Sequence, residues 1–216
     1  KEKIEISGDM RADTLTVNGA EYKTDCIFIL KETLSAESLV PGVETERGAI
    51  VTDSRLKTNV ENVYAAGDVN GKSMLAHTAY REGEVAVNNM LNGPAEMNYD
   101  SIPSAIYTTP EVASAGYTLN AALEKGINAD EVQLSLMYSG RYIAENTDYR
   151  GILKLVYDKD NNVLIGASVV GNYASEYIVV VSNLIDIKVD IDRAKKLVFP
   201  HPTVCEVVRE GLFEIK

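Results

Sequence analysis

The chain has 216 residues, 45% of them hydrophobic, and a net charge of −11, which supports a packed core and argues against disorder. So acidic a chain is a poor partner for phosphate backbones, and no apolar run reaches the roughly 18 residues that a membrane helix needs, so neither nucleic acid nor membrane is an expected partner. The two cysteines, Cys26 and Cys205, lie far apart, so neither a disulfide framework nor a metal site is expected, and a reducing, cytoplasmic setting fits.

The opening K-E-K-I-E-I is no signal peptide, and the lack of an initial Met reads as a sign of processing or truncation. Residues 3–7, 14–17 and 26–30 alternate in the manner of strands, with Asn18-Gly19 as a hairpin turn. Residues 31–48 read as irregular, with a turn at Pro41-Gly42, and 49–52 as a short strand.

Val63-Tyr64-Ala65-Ala66 is an apolar run suited to a buried parallel strand. Gly67 would end it, placing Asp68 at the carboxyl end, where open α/β sheets bind their ligands. A carboxylate there can accept hydrogen bonds from sugar hydroxyls. Residues 73–91 read as a helix capped by Ser73, its positive end turned toward whatever Asp68 holds. Taken alone, A-G-D is equally well a strand end followed by a turn.

Asn92-Gly93-Pro94 closes that helix and marks a boundary between domains at 1–95 and 96–216. Beyond it, 102–118 alternates between turn and strand signals, 120–125 is a short helix stopped by Gly126, and 132–138 is a strand. Residues 152–157 and 163–170 form a hairpin whose turn begins D-x-D-x-N at Asp158, like a calcium loop. The sixth and twelfth positions are Val163 and Val169 where such a loop needs Gly and Glu, so a solvated turn is expected. The next helix, from Asn172 or Ser175 to Ile187, is apolar nearly all round through Tyr177, Ile178, Val179, Val180, Val181, Leu184 and Ile185. Such a helix is buried on more than one side. A partner subunit is expected to cover one of them, with burial inside one domain as the alternative.

The stretch Phe199-Pro200-His201-Pro202-Thr203-Val204-Cys205-Glu206 holds the remaining chemistry. Two prolines clamp His201 in an extended segment. Thr203 and Glu206 have capping-box spacing for a helix reaching about Phe213, which would make Glu206 a backbone-satisfying side chain and His201 a turn residue. The chemical reading is a dyad, in which the carboxylate fixes the imidazole tautomer and leaves the other ring nitrogen to exchange protons. Cys205 reads as a small, inert packing residue in preference to a reactive thiol.

Thr58, Ala66-Gly67-Asp68 and Met74-Leu75-Ala76-His77, at this spacing, resemble the second FAD-binding motif of the flavin disulfide reductases. H-P-T-x-x-E at 201–206 resembles the acid–base motif of the class I pyridine nucleotide-disulfide oxidoreductases, the family of dihydrolipoamide dehydrogenase and glutathione reductase, and 102–118 resembles the start of their dimerisation domain. The resemblance implies an α+β chain: the C-terminal part of an FAD-binding α/β domain, then a dimerisation domain with an antiparallel sheet and flanking helices. It implies FAD contacts at Asp68, Met74, Leu75, Ala76 and His77, the last through its backbone and not as a base. It implies that His201 is the acid–base group, oriented by Glu206 and lent to the other subunit of a homodimer. The cofactors implied are FAD and NAD, and the substrate a dithiol or disulfide, a lipoyl domain among the candidates. No G-x-G-x-x-G and no C-x4-C occurs, and L-K-E-T-L-S at 30–35 replaces the G-R-x-P-N of many relatives, so no NAD contact carries over. The chain therefore reads as the C-terminal portion of a dihydrolipoamide dehydrogenase-like enzyme, inactive and weak in FAD binding alone. A glutathione reductase-like enzyme and a non-catalytic dimerisation module are the alternatives.

Overall fold

The computed structural model describes residues 3–28, 36–147 and 150–216. The chain opens with an antiparallel meander of β1 (Ile4–Ser7), β2 (Thr14–Val17) and β3 (Ala20–Lys23). Asn18 and Gly19 join the last two with φ of 50° and 87°, the doubly left-handed turn that matches strand twist. The returning strand is thus Ala20–Lys23, set by this two-residue turn, and Cys26–Phe28 is irregular where a strand was expected. The rest of that expected strand and the L-K-E-T-L-S stretch lie outside the described residues through position 35. A second small hairpin, β4 (Thr45–Glu46) with β5 (Ala49–Ile50), turns through Arg47 and Gly48, again both at positive φ.

The parallel strand expected at 63–66 does not form. Its backbone turns back on the preceding loop, with Thr58 N–H donating to Val63 O (3.0 Å) and Ala65 N–H to Leu56 O (3.1 Å). A parallel strand exists only through neighbours on its flanks, and none of the described residues supplies one. Asp68 instead begins a single 3-10 turn, Asp68–Asn70. Helix α1 follows at Ala76–Met90, three residues after the expected Ser73 cap. The Ser73 hydroxyl is taken by that of Thr78 (2.9 Å), leaving the first helical turn without a side-chain cap. The buried stripe of α1 holds Thr78, Glu82, Val85, Ala86 and Asn89, so three of its five members are polar.

The rest of the chain forms one five-stranded antiparallel sheet in the order β6 (Ser104–Ile106), β7 (Val112–Gly116), β10 (Val163–Val170), β9 (Ile152–Asp158), β8 (Ala129–Ser135). Alternation along β9 sends Leu153 and Leu155 to one face and Val156 to the other. The first face carries α4 (Ala174–Asp186), α5 (Ile191–Ala194) and α6 (Glu206–Glu214), and the largest core lies between. On the second face sits α2 (Leu119–Glu124), capped by the Thr118 hydroxyl and ended by Gly126 at φ 77°. The short α3 (Gly140–Glu145) follows a 3-10 turn at Leu136–Tyr138, so the eighth strand stops at Ser135 and not at Tyr138 as expected. Asp158 closes the 158–163 hairpin by accepting from Asp160 and Asn161, which makes it a turn residue. Helix α4 buries most of its circumference in its own domain and leaves Val179 45% exposed. Among the described residues, no helix is long and apolar enough to cross a membrane.

Leu153 is fully buried between the sheet and its helices. Leu153→Ala should cost about 2–5 kcal/mol, through lost apolar burial plus the cavity left behind. A calorimetric midpoint within a degree of wild type would show that this core is not the one holding the domain.

Candidate functional site

Two clusters of chemically capable side chains stand out. The first is the Asp68 turn. Gly67 holds φ 81° and ψ −161°, a conformation open to glycine alone. The Thr58 hydroxyl shapes the loop before it, accepting from Val60 N–H (3.1 Å) and donating to Val63 O (3.0 Å). The Asp68 side chain is exposed and, among the described residues, its carboxylate has no hydrogen-bond partner. It lines a cleft of about 980 Å³ together with Asn70, Gly71, Lys72, Met74 and Thr52. Gly71 belongs to the floor, since a Cβ there would come within 2.6 Å of the Ala49 Cβ.

Of the expected cofactor contacts, Asp68 and Met74 thus share one cleft. Leu75 is the extended residue before α1, and Ala76 is its first helical residue, with an exposed side chain. The first intrahelical bond is Ala79 N–H to Leu75 O, so among the described residues the amides of Ala76, His77 and Thr78 have no acceptor at the positive end of the helix. The His77 ring turns the other way: its Nε2–H donates to Pro103 O at 2.7 Å. That bond ties α1 to the start of the sheet domain, beside a second groove of about 340 Å³ between the two parts.

Beneath the turn lies a pair that the motif did not reveal. Glu82 is fully buried and accepts hydrogen bonds from the Gly67 N–H and from the Tyr99 hydroxyl (2.6 Å). Burial, and then the neighbouring Glu82 carboxylate, push the Tyr99 hydroxyl far above the ordinary phenol range. The available signal was positional: Glu82 sits three and four residues before Val85 and Ala86, which puts a charge on the stripe facing inward.

The second cluster is the His201 segment. Helix α6 is held to the sheet by Val207, Val208 and Leu212, all fully buried. Its first residue is Glu206, whose Oε2 accepts the Thr203 N–H (2.8 Å) while Oε1 meets His201 Nδ1 (2.9 Å). Both interpretations of Glu206 are therefore realised by one carboxylate. The other arm of the capping box is missing: the Glu206 N–H donates to the Thr203 backbone carbonyl (3.4 Å) and not to its hydroxyl, which itself donates to Pro200 O (2.8 Å). The chain bends at His201 and Pro202, so the segment is not extended throughout as the two prolines suggested. The Thr203 N–H, and after it the His201 ring, hold the Glu206 carboxyl below its ordinary range. An ionised carboxylate only accepts, so Nδ1 carries the proton. Nε2 then points out from a side chain 79% exposed, with no partner among the described residues. Cys205 packs against the core, and burial, then the nearby Glu206, raise its thiol pKa, which disfavours the thiolate. His201 and Glu206 do not line the Asp68 cleft, so one copy of the chain does not bring the two clusters together there.

A fold with a cofactor-type turn beside a helix-backed antiparallel sheet is the arrangement of the flavin disulfide reductases, and comparison with known families agrees. Residues 102–212 match the pyridine nucleotide-disulphide oxidoreductase dimerisation domain, and residues 1–83 match the pyridine nucleotide-disulphide oxidoreductase family. The chain belongs to this family. It is 36% identical over 181 residues to dihydrolipoyl dehydrogenase 3 of Haloarcula marismortui, covering 83% of this chain and 37% of that one. It is 33% identical over 208 residues to the dihydrolipoyl dehydrogenase of Bacillus subtilis, covering 92% and 43%. LpdA from Mycobacterium tuberculosis shares the fold at a TM-score of 0.87 and 19% identity, over 99% of this chain and 47% of that one. The HOCl-induced flavoprotein disulfide reductase RclA of Escherichia coli matches at 0.77 and 26%, over 94% and 48%. The chain thus spans less than half the length of these relatives.

Because the Glu206 pKa is depressed in the folded state, its stabilisation is fully present above the ordinary carboxyl value near 4.5 and is lost as pH falls through the lower folded value. Glu206→Gln should therefore melt below wild type at pH 7, with the gap closing as pH drops under that value. A gap independent of pH would show that the charge on Glu206 is not what holds the start of α6.

Proposed function

We propose that this chain forms the C-terminal portion of an FAD- and NAD-dependent disulfide oxidoreductase, most like dihydrolipoyl dehydrogenase, acting as a homodimer on a dithiol. Residues 1–95 belong to the cofactor domain and 96–216 form the dimerisation domain. The observation that carries this reading is the His201 imidazole, anchored through Nδ1 on Glu206 with Nε2 open to solvent, in a chain bearing the family's dimerisation domain.

The residues of the Asp68 cleft suit a polyol-bearing cofactor. A free carboxylate can accept from hydroxyls, Gly67 and Gly71 let backbone approach closely, and the uncapped start of α1 favours a carbonyl or an anionic group. Asp68 would hold the sugar chain of FAD, and Met74 to His77 would lie beside its flavin ring. FAD bound there supplies the two-electron relay between a thiol pair and NAD.

His201 accounts for the proton. Its Nε2 takes the proton of a substrate thiol, and Glu206 stabilises the imidazolium through the Nδ1–H bond. Over the whole reaction the dithiol loses two electrons and two protons and closes to a disulfide; NAD gains a hydride, and one proton is released. His201 does not line the Asp68 cleft of its own copy, and the family's dimerisation domain supports the reading that the imidazole serves the cleft of the partner subunit. A reductase for another disulfide is the second reading, favoured by the 26% identity to RclA. A lipoyl domain is the dithiol carrier that fits the first.

In the full-length enzyme, His201→Gln should lower dithiol oxidation by about 10²–10⁴-fold while flavin content stays at wild type. Turnover near wild type would remove His201 from the chemistry.

A further inference from the structure

Glu82 is used by nothing in the mechanism above, yet it is a carboxylate with 0% exposure in the middle of α1. Such burial is costly unless every lone pair that matters is satisfied, and among the described residues no cation pairs with it. Two donors converge on it: the Gly67 N–H on Oε2 and the Tyr99 hydroxyl on Oε1. Gly67 is the residue immediately before Asp68, and its left-handed backbone has little steric restraint of its own. The carboxylate therefore grips the Ala66–Gly67 peptide at the entry to the Asp68 turn, while on the other side of Gly67 its carbonyl accepts from the Asn70 N–H (3.0 Å).

Tyr99 extends the restraint. It lies in a strap, residues 97–103, that is fastened alternately to the two halves of the chain. Met97 N–H donates to Ser54 O (2.8 Å) and Tyr99 to Glu82, both on the cofactor side. Between and after them, Asn98 and Ser101 both donate to Asp186 on α4 (2.9 and 2.7 Å), and Asp100 accepts from the Tyr117 hydroxyl (2.6 Å). Ser182 of α4 donates to Ser101 O (2.7 Å). Tyr99 also has the Lys72 ammonium 5.4 Å from its ring centroid, and Lys72 borders the Asp68 cleft.

We propose that Glu82 is a positioning residue for Asp68: its buried carboxylate fixes the Ala66–Gly67 peptide from which the Asp68 turn departs, and the strap bearing Tyr99 links that fixation to α4 of the dimerisation domain. The proposal rests on the reading of Asp68 as the cofactor contact only for what the turn is positioned to hold.

Amide hydrogen exchange at Gly67, read by NMR in the 216-residue chain, tests it without any flavin present. Replacing a buried, hydrogen-bonded carboxylate by an apolar group of similar size is compatible with folding. Glu82→Leu should speed Gly67 exchange by about tenfold or more, the value of one bond to a charged acceptor, while amides of β9 exchange as in wild type. Glu82→Gln should restore most of the protection, because its amide can accept from Gly67 and donate to the Tyr99 oxygen. Tyr99→Phe should speed Gly67 exchange by a smaller factor. Gly67 exchange unchanged in Glu82→Leu would overturn the positioning role, as would a Gln variant as fast as the Leu variant. Should the Leu variant fail to fold, Tyr99→Phe decides: an unmoved Gly67 rate overturns the proposal. The outcome is independent of flavin affinity, so a failure of the cofactor reading would be seen separately, in flavin titrations.

Discussion

One carboxylate joins structure to chemistry at the C-terminal end of this chain. Glu206 divides its two oxygens between the Thr203 backbone N–H and the His201 ring. Helix α6 begins at Glu206 and is anchored by Val207, Val208 and Leu212 in the main core, so the imidazole inherits the rigidity of a packed helix although it stands in solvent. Among the described residues only the Nδ1 side of the ring is engaged, on a side chain 79% exposed. An exposed histidine on a flexible loop could exchange protons too, but it would have neither a fixed tautomer nor a fixed direction.

The cofactor side uses the same device with the roles inverted. There the buried carboxylate is Glu82, and what it steadies is a backbone amide beside an exposed acid, Asp68. In both clusters a less visible carboxylate stands behind the side chain that meets solvent, bonded to the ring itself at His201 and to the backbone N–H of the preceding residue at Asp68. The strap from Met97 to Pro103 connects the two halves of the molecule. His77 adds a further tie by donating to the Pro103 carbonyl. A short series of hydrogen bonds thus runs from Asp186 of α4 through the strap to Glu82 and the Gly67 N–H.

Much of this was legible in the chain because it is written locally. The sheet of residues 104–170 follows from alternation in β9 and β10, and the end of α2 from Gly126. The T-x-x-E spacing put Glu206 within reach of both Thr203 and His201 without any knowledge of the tertiary fold. What failed depended on distant partners. Val63 to Ala66 has the composition of a parallel strand, but strand status is conferred by neighbours, and its backbone pairs with 56–58 instead. Ser73 has the chemistry of a cap, but Thr78 takes its hydroxyl, and α1 begins at Ala76. Glu82 and Tyr99 are 17 positions apart, and nothing in the spacing of either announces the other.

The ring nitrogens of His201 report on this arrangement without disturbing it. Nitrogen-15 spectra at a pH where the imidazole is neutral should show the proton on Nδ1, donated to Glu206, and an unprotonated Nε2; in Glu206→Gln that preference should weaken or reverse. A proton residing on Nε2 in the wild-type chain, or a ring averaging freely between tautomers, would mean that Glu206 does not orient His201.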